Sequence, residues 1–213
     1  MSEALHAAIE AGCRALGLGD DAGVIDKLAR FVTLLAKWNR VYNLTAVRDT
    51  EAMVTRHLLD SLVVAPWIGG PRLLDVGTGA GLPGIPLALV RPRVHCTLLD
   101  ASAKKMRFVR QAVTELELAN VEPVASRVED YRPETGFDQI ISRAFASLLA
   151  MHEATARLLR PGGVVLAMKG AVDAGEIDAL RALGVDPDVI PLNVPGLMAS
   201  RHLVKWTATG AAN

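Results

Sequence analysis

Leu73-Leu74-Asp75-Val76-Gly77-Thr78-Gly79-Ala80-Gly81-Leu82-Pro83-Gly84 is the stretch on which the fold turns. A short apolar run, read as a first strand, ends in three glycines at alternate positions. Glycine lets the backbone turn tightly after a strand and admits a ligand with no β-carbon in the way. A helix is expected over 83–90 despite Pro83 and Pro86. With Pro83 as its first residue Pro86 is the fourth, and neither nitrogen has a helical partner to lose.

Downstream, strand patterns alternate with helix-length segments. Strands are expected at 95–100, 121–125, 137–141, 164–168, 189–192 and 202–207, the second of these at a sheet edge because of Pro123. Ser102 caps a helix ending near residue 119. Another helix runs through Leu148 and Leu159 until Arg160-Pro161-Gly162-Gly163 stops it, and a last one covers 176–183. The alternation predicts an α/β protein: a mainly parallel sheet with right-handed crossovers and helices on both faces. Ligands of such sheets sit at the carboxyl ends of the strands, near the switch in strand order.

Upstream the pattern is helical. Val24, Leu28, Phe31, Leu35 and Trp38 place one apolar stripe on a helix over 21–38, capped by Asp20 or Asp21. A second helix starts after Asp49 or Thr50 and turns Val54, Leu58 and Leu62 inward. Gly69-Gly70-Pro71 then breaks the helical pattern, dividing an N-terminal helical extension (1–68) from the core (69–213), the two packed as one unit.

Composition narrows the class. The chain has 213 residues, 51% hydrophobic and 22% charged, which excludes a disordered or collagen-like chain. Basic and acidic residues balance at 23 each, so nucleic acid would have to meet a local basic patch. Cys13 and Cys96 form no disulfide framework or metal spacing, Glu3 stands where a signal peptide favours a cation, and the longest apolar run, 62–68, is too short for a membrane span. These features predict a cytoplasmic protein.

Two ligands compete for the glycine loop. Gly79, Gly81 and Gly84 fit the dinucleotide fingerprint, with Asp100 where a ribose-binding acid belongs. In the alternative, S-adenosylmethionine (SAM), Asp75 faces the methionine ammonium and Asp100 accepts from both ribose hydroxyls. An acid at Asp75 suits a cationic donor and opposes a pyrophosphate, which favours SAM. Leu158 to Leu166, with its proline stop and Gly-Gly turn, resembles the segment before the fifth strand of Rossmann-like SAM-dependent methyltransferases.

The resemblance becomes specific across spaced blocks: Lys37-Trp38-Asn39-Arg40-Val41-Tyr42-Asn43-Leu44-Thr45, Arg56-His57-Leu58-Leu59-Asp60-Ser61, residues 75–86, Ser126-Arg127-Val128-Glu129, Ile141-Ser142-Arg143-Ala144-Phe145-Ala146 and Arg201-His202-Leu203-Val204. Together they resemble the RsmG/GidB family of bacterial 16S rRNA guanine-N7 methyltransferases over about 24–206. That resemblance implies SAM as cofactor, held at Gly77 and Leu82, at Val128 and Glu129, and at Arg143; Gly79 belongs to the same loop. It also implies position 527 of 16S rRNA as the target. Ala80 stands where the family commonly has proline, another small residue.

Guanine N7 carries a lone pair and no proton, so no general base is expected. His57 reads as a structural histidine and Asn43 as a turn residue. His152-Glu153 begins like a zinc helix, but Ala156 stands where the second histidine must be, so no metal is expected. RNA contacts are assigned to Lys104, Arg107 and Arg110, in a stretch (101–114) without an acid, and to Arg201. The partner is then 16S rRNA or the small ribosomal subunit, met by a monomer. A SAM-dependent enzyme acting on a small molecule and a nicotinamide-dependent oxidoreductase remain as alternatives.

Overall fold

A computed structural model describes residues 3–143 and 145–207. The elements, in chain order, are helices α1 (Glu3–Ala15) and α2 (Ala22–Tyr42), α3 (Thr50–Met53) running through a π-helical turn (Val54–Leu59) into α4 (Asp60–Leu62), and strand β1 (Arg72–Val76). They continue with α5 (Gly84–Val90), β2 (His95–Asp100), α6 (Ala103–Glu115), β3 (Val121–Ala125), β4 (Phe137–Ser142), α7 (Leu148–Thr155), β5 (Leu159–Lys169), α8 (Ala174–Arg181), β6 (Asp188–Leu192) and β7 (Arg201–Thr207).

The seven strands form one sheet in the order β3-β2-β1-β4-β5-β7-β6. The first five are parallel, and β7 is antiparallel to both its neighbours. The chain walks outward from β1 through β2 to β3, then returns to the other side of β1 with β4. The order therefore switches between β1 and β4, where Ser142 Oγ donates to the Val76 carbonyl at 2.7 Å.

Leu73, Leu74, Asp75 and Val76 of β1 are all buried, as expected of a parallel strand covered on both faces. Leu73, Leu98 and Leu203 pack on one side with residues of α1, α2, α5 and α6. Leu74, Leu99 and Ile140 pack on the other with Leu148 and Met151 of α7 and Ile177 and Leu180 of α8. Pro123 lies in the edge strand β3, whose free side needs no ladder donor.

Helix α2 runs four residues past its expected end, to Tyr42, and α8 starts two residues early, at Ala174; four other differences have a local physical cause. Pro83 is the N-cap of α5 rather than its first residue, so Pro86 falls third, still among positions without a helical partner. The peptide Leu82–Pro83 is cis. Helix α6 stops at Glu115 rather than near 119, because Glu117 turns left-handed (φ 54°) and the amides of Glu117 and Leu118 bond back to Thr114 and Val113, returning Leu118 to the core. The helix expected to reach Leu159 ends at Thr155, with a 3-10 turn over Ala156–Leu158.

The fourth is Arg160-Pro161-Gly162-Gly163, which lies inside β5 as a bulge and not ahead of it. Pairing jumps from Phe137 opposite Leu159 to Gln139 opposite Val164, leaving those four residues outside the ladder. A β-carbon on Gly163 would come within 2.9 Å of the Arg160 carbonyl oxygen, so the bulge closes only around glycine. Helix α1 lies within the expected N-terminal helical extension, where the sequence pattern sets no separate bounds for it. It packs Gly12 against Leu59, where a β-carbon would clash at 2.5 Å.

Candidate functional site

The glycine loop leaves β1 at the switch point. Gly77, Gly79 and Gly81 all have positive φ (70°, 59° and 77°), the region that side chains with a β-carbon avoid. Two carboxylates set this shape. Asp75, 1% exposed, accepts from Thr78 Oγ1 at 2.6 Å and from the Gly84 amide at 2.9 Å, so it ties the loop's start to the first turn of α5. Asp100, at the carboxyl end of β2, accepts from the amides of Gly79 and Ser102, each at 2.8 Å.

Asp75 therefore lies beneath the loop rather than in an open cleft. Burial pushes its carboxyl up to about 6, while Thr78, Gly84 and the charge of Arg143 pull the other way. Its second oxygen, Oδ1, is buried without a hydrogen-bond partner among the described residues.

Two clefts meet at Gly77. The first, about 260 Å³, is lined by Gly77, Asp100, Val128, Glu129, Ser142 and Phe145. Its outer wall is steadied by Arg157, which donates to the carbonyls of Val128 and Tyr131. The second, about 270 Å³, brings Gly77, Gly79 and Leu82 against Arg143, Lys105 and three residues of the N-terminal segment, Leu44, Thr45 and His57. Of the expected residues, Gly77, Asp100, Val128 and Glu129 line the first cleft and Gly77, Gly79, Leu82 and Arg143 the second, while Asp75 lines neither.

The N-terminal wall follows from α2. Asn43 caps that helix in the left-handed conformation (φ 49°), the turn role expected of it. Buried Asn39 then holds the following loop, accepting from the Thr45 amide at 2.8 Å and donating to the Val47 carbonyl at 2.9 Å. His57 comes from the π-helical turn. Its Nδ1 lies 3.0 Å from the Arg56 carbonyl, which can only accept, so Nδ1 carries the proton and Nε2 accepts from Thr45 Oγ1 at 2.7 Å. Burial, and then the charge of Arg143, lower its pKa below the usual histidine value. Both ring nitrogens are engaged, the structural role the sequence suggested. His152 likewise accepts from Trp206 Nε1 at 3.2 Å, and no metal-holding group of His, Cys, Asp or Glu exists among the described residues.

A third cleft of about 310 Å³ adjoins the second, sharing His57 and Arg143 with it. It contains Arg201, expected from the sequence, and Asp60, Arg56 and Lys169, which were assigned no role. The overlooked signal was Asp60 itself, an acid inside the apolar run Leu58-Leu59-Asp60-Ser61-Leu62, since buried acids are almost always paired. On α6, Lys104, Arg107 and Arg110 are exposed while Met106 and Val109 are buried and Val113 half-buried, with Leu116 buried just past its end. A larger hollow of about 750 Å³ beside α1 shares no residue with the three clefts.

The parallel sheet, its switch point and the acid-anchored glycine loop define a Rossmann-like fold of the SAM-dependent methyltransferase class. The structure is similar to a SAM-dependent methyltransferase from Aquifex aeolicus, with a TM-score of 0.57 at 20% identity, covering 74% of this chain and 93% of that one. It is also similar to the glycopeptide N-methyltransferase MtfA complexed with S-adenosyl-L-homocysteine, with a TM-score of 0.59 at 12% identity over 70% of this chain and 86% of that one. Residues 24–204 match the GidB family, described as rRNA small subunit methyltransferase G. The chain is 53% identical over 195 residues to the ribosomal RNA small subunit methyltransferase G of Methylococcus capsulatus, covering 91% of this chain and 95% of that protein. Identity to the Chromohalobacter salexigens protein of the same name is 52% over 210 residues, covering 96% and 98%. The chain belongs to this family.

Proposed function

We propose that the chain transfers a methyl group from S-adenosyl-L-methionine to N7 of a guanine in 16S rRNA, acting in the cytoplasm as a monomer without a metal. The observation that carries this reading is the pair of clefts meeting at Gly77, with Asp100 at one side and the N-terminal segment at the other. Among the described residues no helix is long and apolar enough to cross a membrane.

The residues fit the cofactor. A β-carbon on Gly79 would meet nothing nearer than 3.9 Å, so the loop leaves space above itself, and the unpartnered Asp75 Oδ1 beneath it supplies negative potential. Asp100 spends one lone pair of each oxygen on a backbone amide and keeps the others for two ribose hydroxyls. Val128 offers its main-chain N–H, and Glu129 a carboxylate, to the edge of an adenine. Gly77 and Leu82 bound the methionine end, where Arg143 stands.

The chemistry the cofactor supplies is a sulfonium methyl: the lone pair of guanine N7 forms the new bond, the carbon–sulfur bond breaks, and positive charge passes to the purine with no proton transferred. This chain's residues accordingly need only bind, orient and exclude water, and positioning of this kind is worth effective molarities of ~10⁵ M or more. His57, with both nitrogens engaged, holds Thr45 against the loop rather than moving a proton. We take residues 1–68 as an extension that contributes this wall to the core formed by 69–213. Lys104, Arg107, Arg110 and Arg201 are the proposed RNA contacts.

The test is incubation with methyl-labelled cofactor and either deproteinised 16S rRNA, small ribosomal subunits or a metabolite extract. Label in 16S rRNA at a guanine that becomes cleavable after borohydride and aniline is the expected result. Label confined to metabolites overturns the reading.

A further inference from the structure

Asp60 is a buried acid with two cations. Its side chain is 4% exposed, and its oxygens are divided between arginines far apart in the chain: Oδ1 accepts from Arg201 Nε at 2.7 Å, and Oδ2 from Arg143 Nη1 at 3.3 Å. Arg201 opens β7, and Arg143 follows the last residue of β4. One carboxylate thereby fixes two guanidiniums at the edge of the third cleft while neutralising only one of them.

The rest of that cleft adds to the imbalance. Arg56 is exposed on the π-helical turn, and Lys169 ends β5, paired with Glu176 at 2.9 Å. His202 is held by a contact of 2.7 Å between its Nδ1 and the Gly170 carbonyl. Four cations, Arg56, Arg143, Lys169 and Arg201, thus face two acids, Asp60 and Glu176, an excess of two positive charges on a chain whose net charge is zero. Guanidiniums present planar pairs of donors that match phosphate oxygens, and a fixed pair loses less freedom on binding than two mobile side chains.

Position decides what kind of phosphate this is. His57 and Arg143 line this cleft and the methyl-transfer cleft alike, so an anion here lies one residue's width from the reacting corner. We propose that the Arg143–Asp60–Arg201 cluster, with Arg56 at its rim, is a phosphodiester site that seats the RNA backbone beside the target base. Asp60 is its positioning residue. The proposal rests on the functional reading above and assigns a particular part of the RNA to a particular place.

The experiment uses the full chain, measuring cofactor affinity by titration calorimetry and the KM for 16S rRNA between about 50 and 200 mM salt. Arg201→Gln and Arg56→Gln each raise the KM about 5- to 10-fold and each reduce the slope of log(kcat/KM) against log[salt] by about 1, with cofactor affinity within twofold of wild type. Arg201→Lys keeps the wild-type slope but recovers only part of the affinity. Asp60→Asn keeps both cations, so the slope stays while kcat falls, which separates positioning from charge. Arg181→Gln, on the acidic helix α8, changes nothing. Arg56 is exposed, so its variant reports even where a change at the buried cluster impairs folding. Wild-type salt slopes in both glutamine variants of an enzyme that still methylates rRNA overturn the phosphate site alone. A wild-type protein that transfers no methyl to rRNA overturns the functional reading and this site with it.

Discussion

The carboxylate of Asp75 and the amide of Gly84, nine residues apart in the chain, meet at 2.9 Å and hold the glycine loop closed between them. That bond satisfies an N–H that α5 cannot use, so one acid both caps a helix and shapes a binding loop. The approach leaves no room: a β-carbon on Gly84 would lie 2.1 Å from Leu98 Cδ2 and 2.8 Å from Asp75 Oδ2. Gly84→Ala is therefore expected to cost about 1–3 kcal/mol by overpacking and to weaken the cofactor through the displaced loop. Chemical denaturation and cofactor titration on the same preparation check both.

The burial of Asp75 has a pH signature. Its ordinary value is 3.8, and in the folded protein it is raised to about 6. Between those values the folded chain holds a proton that the unfolded chain has lost, so this group makes stability fall as pH rises, levelling off above about 6. The stability gap between Asp75→Asn and wild type should widen in favour of the variant by about 2 kcal/mol from pH 4 to pH 7. Isothermal denaturation at four or five pH values reads it directly.

Asp100 shapes the glycine loop and is the acid proposed for the cofactor's ribose, two roles whose loss can be separated. Its oxygens fix the amides of Gly79 and Ser102, and the residue lines the first cleft. Asp100→Asn keeps the side chain's size and one acceptor oxygen while removing the charge. Charged hydrogen bonds contribute about 1.5–3 kcal/mol each, so cofactor affinity should fall about 10- to 100-fold with little change in the KM for RNA. Calorimetry on the variant, beside RNA kinetics at saturating cofactor, distinguishes this from general unfolding.

Local patterns made most of this legible. The strands 95–100 and 121–125 are found at the residues expected, because a continuous apolar run and a proline at an edge are decided by their own neighbours. Gly77, Gly79, Asp75 and Asp100 could be picked out because a glycine loop after a strand has few other uses. The β5 bulge could not: Arg160-Pro161-Gly162-Gly163 is a good turn by local rules, and only the pairing of Leu159 with Phe137 draws it into a strand. Asp60 stands out locally as an acid in an apolar run, but its partners are arginines 83 and 141 residues away, which local rules do not reach. Asp75 was read as facing the ligand, and the structure places it under the loop, since sequence gives the residue but not its depth.

His57 invites a catalytic role that its hydrogen bonds refuse. Nδ1 is committed to the Arg56 carbonyl and Nε2 to Thr45 Oγ1, and its lowered pKa keeps the ring neutral at physiological pH. Removing a general base typically costs 10²–10⁴-fold. His57→Gln, which can still reach Thr45, should keep kcat within about tenfold. A wild-type kcat profile that is flat between pH 5 and 7, where a histidine of lowered pKa titrates, supports positioning, whereas an acid limb there that disappears in the variant would assign His57 a proton.

Helix α6 offers the last separation, between general attraction and anchoring. Lys104, Arg107 and Arg110 stand exposed on the face opposite Met106 and Val109, with no acid on the helix until Glu115. If this face meets RNA it does so through phosphates, and reversing one charge changes the local balance by two. Arg107→Glu is expected to raise the KM for 16S rRNA about tenfold or more at low salt and to converge on wild type as salt is raised. Because Arg107 points away from the core, neither the unfolding midpoint nor cofactor affinity should move. An unchanged KM at low salt would remove α6 from the RNA footprint and leave the arginines around Asp60 to carry it.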